Sequence, residues 1–182
     1  LKGVKIAMQG LGAVSFGMLE FLSQEGAMII GCDVDQEKVK LAVQKYGIEA
    51  VSPDSIYDVK CDIFSPCALG ATINPDTLPR IQSKIIAGAA NNQLSTDEMG
   101  YEVMKRGIVY APDYAINAGG LTNIYHESMV AGGYNKEQAF AHTAKIRQTI
   151  ELILDRATAE KLPSSLIADR IAQERVAKAS NR

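Results

Sequence analysis

Two glycines and one aspartate near the start of the chain have the types and spacing of a site for a phosphorylated ribose. Gly10 and Gly12 directly follow residues 4–9, which are typical of a β-strand. Gly10 allows a turn too tight for a Cβ atom, and Gly12 lets backbone N–H groups come close to a pyrophosphate. The helix predicted behind them would offer its positive N-terminal end to those phosphates. Asp33 ends a second apolar run about twenty residues beyond Gly12, where its carboxylate would accept a hydrogen bond from a ribose hydroxyl.

The context of this turn makes it more specific than a pair of glycines in a loop. A predicted strand precedes it, and residues at helical spacing follow it: Val14, Met18, Phe21 and Leu22. The alternative is a strand-to-helix turn of an α/β protein that binds nothing. Ser15 stands at the third motif position, where glycine or alanine is usual, and its side chain is expected to crowd the helix slightly against the strand.

The composition is that of a globular protein with little net charge. The 182 residues are 47% hydrophobic and 22% charged, with 19 Lys and Arg against 21 Asp and Glu. This balance gives no excess of basic residues, such as binding to nucleic acid or to an anionic membrane would need. The apolar runs are too short to span a membrane and no signal peptide opens the chain, so we expect a cytoplasmic protein. Because the chain opens at Leu1, almost directly on the first strand, we also expect it to be a piece of something longer.

Cysteine and histidine usage argues against a metal site. Cys32, Cys61 and Cys67 form no CxxC pair, and their odd number disfavours a disulfide framework. Each is expected to be a small apolar filler near a strand end. His126 and His142 are far apart among predicted helices, so no metal cluster is expected.

Strands and helices alternate over the first 110 residues, which predicts an α/β fold: a Rossmann-like, doubly wound, mostly parallel sheet with helices on both faces. From Leu121 onward the pattern predicts C-terminal packing helices, with a break at Gly132 and Gly133 and a frayed tail from Ala177. With no repeat or long linker, residues 1–182 are expected to form one domain. The predicted strands are 4–9, 28–32, 49–51, 61–64, 84–87 and 107–110, and the predicted helices include 36–46, 76–82 and 96–106.

Three later strand ends carry loops rich in Ala, Gly, Pro and Asn, on the same edge as the glycine turn. They span 65–71, 88–93 and 111–120, and an open parallel sheet holds its ligands at this edge. Asn91 and Asn117 are expected to reach into that cleft, because a side-chain amide both donates to and accepts from a carboxamide or carboxylate. The alternatives are that 65–71 is a packed structural loop and that both asparagines cap local turns.

Four blocks of the chain together resemble one enzyme family. They are Gln9–Gly12, Asp62–Ala71, Ile85–Gln93 and Ala111–Gly120, and they fall in the family's order over nearly the whole chain. On these blocks the chain resembles the nucleotide-binding domain of the glutamate, leucine, phenylalanine and valine dehydrogenases. The likeness is closest to the leucine dehydrogenase branch and includes the late helix Ala168–Arg175. The resemblance implies NAD-dependent oxidative deamination of an apolar L-amino acid to the 2-oxo acid and ammonia.

The resemblance also implies roles for individual residues. The glycine turn would hold the pyrophosphate, Asp33 the adenosine ribose, and Asn117 the junction of nicotinamide and substrate carboxylate. Leu121 and Ile124 would form an apolar wall of the substrate pocket. The cofactor-binding set implied in this way is Gly10, Gly12, Ala13, Val14, Ser15, Asp33, Val34, Cys67, Ala68, Leu69, Ala89, Asn91 and Asn117.

By the same resemblance, the catalytic residues lie outside this chain. The family's lysines, which hold the substrate carboxylate and act as the base, and their aspartate belong to an N-terminal domain upstream of the glycine turn. No catalytic residue is therefore assigned, and the fragment alone is expected to be inactive. The lysines here, among them Lys38, Lys84, Lys105 and Lys145, are expected to be solvated charges. The full-length enzymes of the family form homo-oligomers.

The choice of cofactor follows from the residues after the second strand. The carboxylate of Asp33 would repel the 2′-phosphate of NADP, and positions 34–36 hold neither Arg nor Lys, so NAD is expected. Two other classes stay open as alternatives. One is a free-standing NAD-binding or regulatory module without its own catalysis. The other is a methyltransferase, which also uses a glycine turn and an acidic strand end but is disfavoured by the three later loops.

Overall fold

The computed structural model describes residues 1–130 and 133–180, whose strands form one six-stranded sheet. The elements are β1 (Lys5–Gln9), α1 (Ala13–Gln24), β2 (Met28–Cys32), α2 (Gln36–Tyr46), β3 (Glu49–Ala50), a short 3₁₀ helix (Ser55–Asp58), β4 (Ile63–Pro66), β5 (Ile85–Ile86), α3 (Glu98–Lys105), β6 (Val109–Tyr110), α4 (Asp113–Ile116), α5 (Gly119–Ser128), α6 (Lys136–Glu160) and α7 (Ser164–Ser180). All strand pairs are parallel, in the order β3-β2-β1-β4-β5-β6. This is the strand order of a Rossmann domain, and the predicted fold class is confirmed.

The strand order reverses at β1. This strand pairs with β2 on one side and β4 on the other, and its last residue, Gln9, lies opposite Cys32 and Pro66. The carboxyl ends of β1, β2 and β4 therefore lie side by side at one edge of the sheet. In open α/β sheets this reversal is where ligands bind.

Alternating residues of the strands face two separate cores. Met8 and Ile29 lie in a core with α1 and α2, whereas Ala7 and Ile30 lie in a core with the 3₁₀ helix and α3. Successive strand residues point to opposite faces of the sheet. Since both faces carry buried apolar residues, helices cover both sides of the sheet. The helices α6 and α7 pack on each other through a third core around Ile153, as the apolar stripes predict.

The helix predicted over 76–82 is wrong, because residues 75–80 form consecutive turns and residues 81–82 form no helix. The side-chain carbonyl of Asn74 accepts hydrogen bonds from the backbone N–H groups of Asp76 and Thr77. These bonds offer the backbone an alternative to a helix. Pro79 also lacks the N–H that a helical bond at its position would need.

Two predictions beyond residue 110 are also corrected. The predicted loop 111–120 contains α4 and the start of α5, so Asn117 lies between two short helices. The tail predicted from Ala177 is helical as far as Ser180. The rest of that tail, and Gly132 of the predicted break, lie outside the described residues. Within the described ranges, no helix combines the length and apolar character needed to cross a membrane.

Candidate functional site

The turn after β1 is built around Gly10, whose backbone lies in the left-handed region with φ of +100°. Its N–H donates to the carbonyl of Cys32 at 2.9 Å. A Cβ at this position would lie 2.7 to 2.9 Å from backbone and side-chain atoms of Ala68. Only glycine therefore lets the turn lie directly against the loop that follows β4.

The helix α1 begins immediately after this turn, and no side chain among the described residues caps it. Gly12 is the N-cap residue, the first turn contains no acidic residue, and Ala13 and Val14 are exposed. The unbonded N–H groups of a helix N-terminus carry a positive partial charge. The end of α1 can therefore receive an anion such as a phosphate.

Ser15 uses its hydroxyl inside the turn. The side chain is buried, and its Oγ donates to the carbonyl of Gly10 at 2.8 Å. The predicted crowding is thus accommodated by a hydrogen bond between helix and turn. Ser15, one of the predicted cofactor-binding residues, therefore supports the turn through its side chain.

Ser15→Ala is expected to lower the free energy of unfolding by about 0.5–1.5 kcal/mol, because one buried hydrogen bond is lost. Affinity for a ligand at the end of α1 should change by less than about twofold, since the backbone donors stay in place. Chemical denaturation and a ligand titration measure the two quantities. A loss of affinity well beyond twofold in a stably folded variant would show that the hydroxyl contacts the ligand.

Asp33, directly after β2, holds the glycine turn from the other side. Its Oδ2 accepts from the backbone N–H of Leu11 at 2.7 Å, and its Oδ1 accepts from that of Asp35 at 2.9 Å. Burial raises the pKa of Asp33, but these N–H donors and Lys38 outweigh it, and the pKa lies below its ordinary value. The carboxylate is therefore ionised at neutral pH, and each oxygen keeps a lone pair for a further donor.

Asp33 and Gly10 line a groove of about 340 Å³ at this edge of the sheet. Val34 and Leu69 also line it, and each of these apolar side chains is 86% exposed. Exposed apolar side chains beside a groove are suited to cover a flat ring. The lining residues are Gln9, Gly10, Cys32, Asp33, Val34, Pro53, Tyr57, Ala68, Leu69, Gly70, Ala71, Thr72 and Asn74.

Four of the lining residues have no motif or periodicity that places them at the site: Pro53, Tyr57, Thr72 and Asn74. Gln9, at the end of β1, connects the two segments that carry them. Its Nε2 donates to the hydroxyl of Tyr57 at 3.2 Å, and its Oε1 accepts from Oγ1 of Thr72 at 3.3 Å. The strand order brings these segments to the groove, and no local signal in the sequence indicates it.

The loop after β5 packs closely against the end of β4. A Cβ at Gly88 would overlap the backbone of Pro66, so this approach requires glycine. Gln93 is fully buried, and its Nε2 donates to two carbonyls of the same loop at 2.8 and 2.9 Å. These bonds hold the backbone on either side of Ala89. The sequence interpretation missed this supporting role of Gln93.

Asn117 and Asn91 are in direct contact. The Nδ2 of Asn117 donates to Oδ1 of Asn91 at 2.6 Å and to the carbonyl of Ala89 at 3.4 Å. These partners lie 26 and 28 residues away in the sequence. Asn117 caps α4 locally through its backbone N–H, which donates to the carbonyl of Asp113. Its side chain instead joins the segment after β6 to the loop after β5.

The structure brings the predicted site residues into two clusters. The groove cluster contains Gly10, Asp33, Val34, Ala68 and Leu69, and the loop cluster contains Ala89, Asn91 and Asn117. Cys67 lines neither, and its Sγ lies 3.3 Å from Oγ of Ser65. Leu121 and Ile124 lie on α5, 72% and 56% exposed, one helical turn apart on one face.

The histidines lie closer together than their separation in the sequence indicates. Nε2 of the buried His126 lies 3.1 Å from Nδ1 of His142, which joins α5 to α6. Among residues 1–130 and 133–180, no group of three or more His, Cys, Asp or Glu side chains could hold a metal ion. Burial raises the pKa of Cys32 to about 11 and also raises that of Cys61, as expected for cysteines that act as apolar filler.

The family model described as Glutamate/Leucine/Phenylalanine/Valine dehydrogenase matches residues 33–182. The chain belongs to this family. Within the dehydrogenase family, the leucine dehydrogenases of Bacillus cereus and Thermoactinomyces intermedius are 44% and 46% identical to the chain over 181 and 176 residues. These matches cover 100% and 97% of the chain but 49% and 47% of the two relatives. The chain thus spans about half the length of the curated relatives it matches.

The dehydrogenase fold is also found in a solved relative. The crystal structure of L-tryptophan dehydrogenase from Nostoc punctiforme matches with a TM-score of 0.93 and 38% sequence identity. The match covers 98% of this chain and 53% of that one. The first 32 residues lie outside the range of the family model, but the match to the Bacillus cereus enzyme includes them.

Proposed function

We propose that residues 1–182 are a single NAD-binding domain of an amino-acid dehydrogenase of the leucine dehydrogenase type. The observation that carries the proposal is the position of Asp33, whose ionised carboxylate lines the groove and bonds to the glycine turn. The uncapped N-terminus of α1 follows the same turn. An acceptor for ribose hydroxyls therefore lies beside donors for a pyrophosphate, which is the pairing that a dinucleotide requires.

In this proposal NAD lies extended along the carboxyl edge of the sheet. The turn from Gly10 to Ser15 holds the pyrophosphate through the N–H groups at the start of α1, because those of Gly10 and Leu11 donate to Cys32 and Asp33. Asp33 accepts from the adenosine ribose. The apolar side chains of Val34 and Leu69 cover the adenine ring. The loop containing Ala89 and Asn91 runs along the nicotinamide ribose and leads to Asn117.

The same site favours NAD over NADP. The Asp33 carboxylate carries a negative charge at neutral pH and would repel a 2′-phosphate. Positions 34–36 hold Val, Asp and Gln, so no cationic side chain at these positions could pair with the 2′-phosphate. Lys38, the nearest lysine along the chain, lies 3.7 Å from the carboxylate of Asp35.

The proposed reaction of the whole enzyme is oxidative deamination of an apolar L-amino acid. NAD accepts the hydride from the α-carbon, and water then converts the resulting imine to a 2-oxo acid and ammonia. Asn117 orients the substrate carboxylate at the nicotinamide end, and Leu121 and Ile124 contact the apolar side chain. The family's catalytic lysines and aspartate lie outside this chain, so the domain binds and orients but supplies no base. The full-length enzyme is proposed to be a homo-oligomer.

Titration with NAD, NADP and S-adenosylmethionine tests the binding proposal. NAD should bind more tightly than NADP, and S-adenosylmethionine should bind most weakly. Tighter binding of S-adenosylmethionine than of NAD would overturn the proposal in favour of a methyltransferase, and a folded chain that binds none of the three would also overturn it.

Family membership favours an enzyme domain over the second candidate, a free-standing NAD-binding or regulatory module. Because both predict NAD binding, activity must separate them. Deamination is measured with and without a supplied N-terminal half of a leucine dehydrogenase. Restored activity supports the dehydrogenase domain, and its absence in a complex that still binds NAD supports the regulatory module.

A further inference from the structure

One wall of the groove is a segment that lies between strands. Residues 52–58 follow β3, contain the 3₁₀ helix, and supply Pro53 and Tyr57 to the groove. Ile56 is fully buried and anchors the segment in the core. Two residues of the sheet also contact Tyr57: Gln9 of β1 donates to its hydroxyl at 3.2 Å, and the ring of Phe64 of β4 lies 5.8 Å from its ring. The rest of the segment, including Pro53 and both ends of the 3₁₀ helix, is held by contacts outside the sheet.

Arg80 makes five hydrogen bonds to this segment. Its Nε and Nη2 donate to the two carboxylate oxygens of Asp58 at 3.0 and 2.7 Å. Its Nη1 and Nη2 donate to the carboxylate of Asp54 at 2.9 and 3.3 Å, and Nη2 also donates to the carbonyl of Asp54 at 2.8 Å. The guanidinium carbon lies 5.4 Å from the centre of the Tyr57 ring. One side chain thus holds both ends of the 3₁₀ helix and contacts the aromatic ring between them.

The backbone that carries Arg80 is itself anchored and leads to another part of the groove. Leu78 and Ile81, on either side of Arg80, are buried in the core. The N–H of Leu78 donates to the carbonyl of Asn74 at 3.0 Å, and Asn74 lines the groove. Arg80 therefore connects two segments that both contribute to the groove, although it does not line the groove itself.

We propose that Arg80 is a positioning residue for the adenine half of the cofactor. It holds Asp54 and Asp58, and through them keeps Pro53 and Tyr57 in place as a wall of the groove. This inference rests on the proposed NAD-binding function and extends it to a residue that touches no ligand. Surface ion pairs contribute little to stability, but a guanidinium bound to two carboxylates fixes their orientation. The role is therefore geometric.

Arg80→Met in the 182-residue chain tests the proposal, because methionine keeps an apolar stem and removes all five hydrogen bonds. NAD and ADP-ribose, which both contain adenine, should lose affinity by about threefold to tenfold, as expected for one displaced aromatic contact. Nicotinamide mononucleotide lacks adenine and should bind as it does to the parent chain. Arg80→Lys should behave like Arg80→Met, since lysine keeps the charge but cannot hold two carboxylates in a fixed geometry.

Two sets of variants control for charge and stability. Arg147 is an exposed arginine that pairs with Glu151 at 2.9 Å on α6 and does not line the groove, so Arg147→Met should leave all three affinities unchanged. The double variant Asp54→Asn, Asp58→Asn should reproduce the loss seen in Arg80→Met. Adding Arg80→Met to it should cause no further loss, because the same contacts are already gone.

The outcomes separate this inference from the proposed function. A parent chain that binds no NAD overturns both. A parent chain that binds NAD, with Arg80 variants of equal affinity, overturns only the positioning role. An equal loss for nicotinamide mononucleotide and ADP-ribose also overturns it, because a general structural effect would act on both halves of the site.

Discussion

Asp33→Ala is expected to weaken NAD binding by about 1–3 kcal/mol, because a charge-assisted hydrogen bond to the ribose is lost. NADP should then bind almost as well as NAD, since the charge that repels the 2′-phosphate is gone. The ratio of the two dissociation constants, measured by titration, is the decisive quantity. A general loss of folded protein lowers both affinities by the same factor and leaves this ratio unchanged.

Because Asp33 also accepts backbone N–H bonds from Leu11 and Asp35, this variant needs a matched control. Asp35→Ala removes the neighbouring exposed carboxylate, which caps α2 by accepting from the N–H of Glu37. Its loss should cost about 0.5–2 kcal/mol of stability and leave the preference for NAD intact. If Asp33→Ala bound both nucleotides as the parent does, the proposed position of the ribose would be wrong.

Gly10→Ala is expected to lower the free energy of unfolding by about 2–5 kcal/mol and to abolish tight NAD binding. Alanine at φ of +100° is strained, at a cost of about 1–3 kcal/mol. Its Cβ would also overlap Ala68, where both backbone and side-chain atoms lie within 2.9 Å. The overlap would push the turn away from the loop after β4 and open the groove. Chemical denaturation measures the stability, and titration measures the affinity.

Gly17→Ala is the control for this change, because it adds the same methyl group within α1. A Cβ at Gly17 meets nothing within 4 Å, so the substitution should raise stability by about 0.5–1 kcal/mol through a better helix propensity. NAD affinity should not change. Equal stabilities of Gly10→Ala and Gly17→Ala would show that the left-handed turn is not needed for folding.

The fold could be predicted because its signals are local. Each strand is a short apolar run, and the glycine turn is a property of a few adjacent residues. The alternation of strands and helices then leaves few topologies for a parallel sheet. Local signals gave the wrong prediction for residues 76–82. There the side chain of Asn74 accepts hydrogen bonds from backbone N–H groups that a helix would use, and apolar periodicity does not reveal this competition.

The candidate site could be predicted only where its residues form a contiguous motif. Gly10 and Asp33 are such cases, because their roles follow from a turn and a strand end. Tyr57 and Arg80 have no comparable pattern. Tyr57 lines the groove, and Arg80 holds the segment of Tyr57 from outside it, because the pairing of β1 with β4 brings separate segments to one edge of the sheet.

Short stretches of this chain are thus enough to establish a parallel α/β domain, its glycine turn and its family. Contacts between distant segments are established only by the folded molecule. They include the hydrogen bond of Asn117 to Asn91 and those of Arg80 to Asp54 and Asp58. The reason is physical. Conformation along a strand or turn follows from neighbouring residues, whereas a contact across 20 or more residues depends on strand order, register and the packing of loops that glycines such as Gly10 allow to touch.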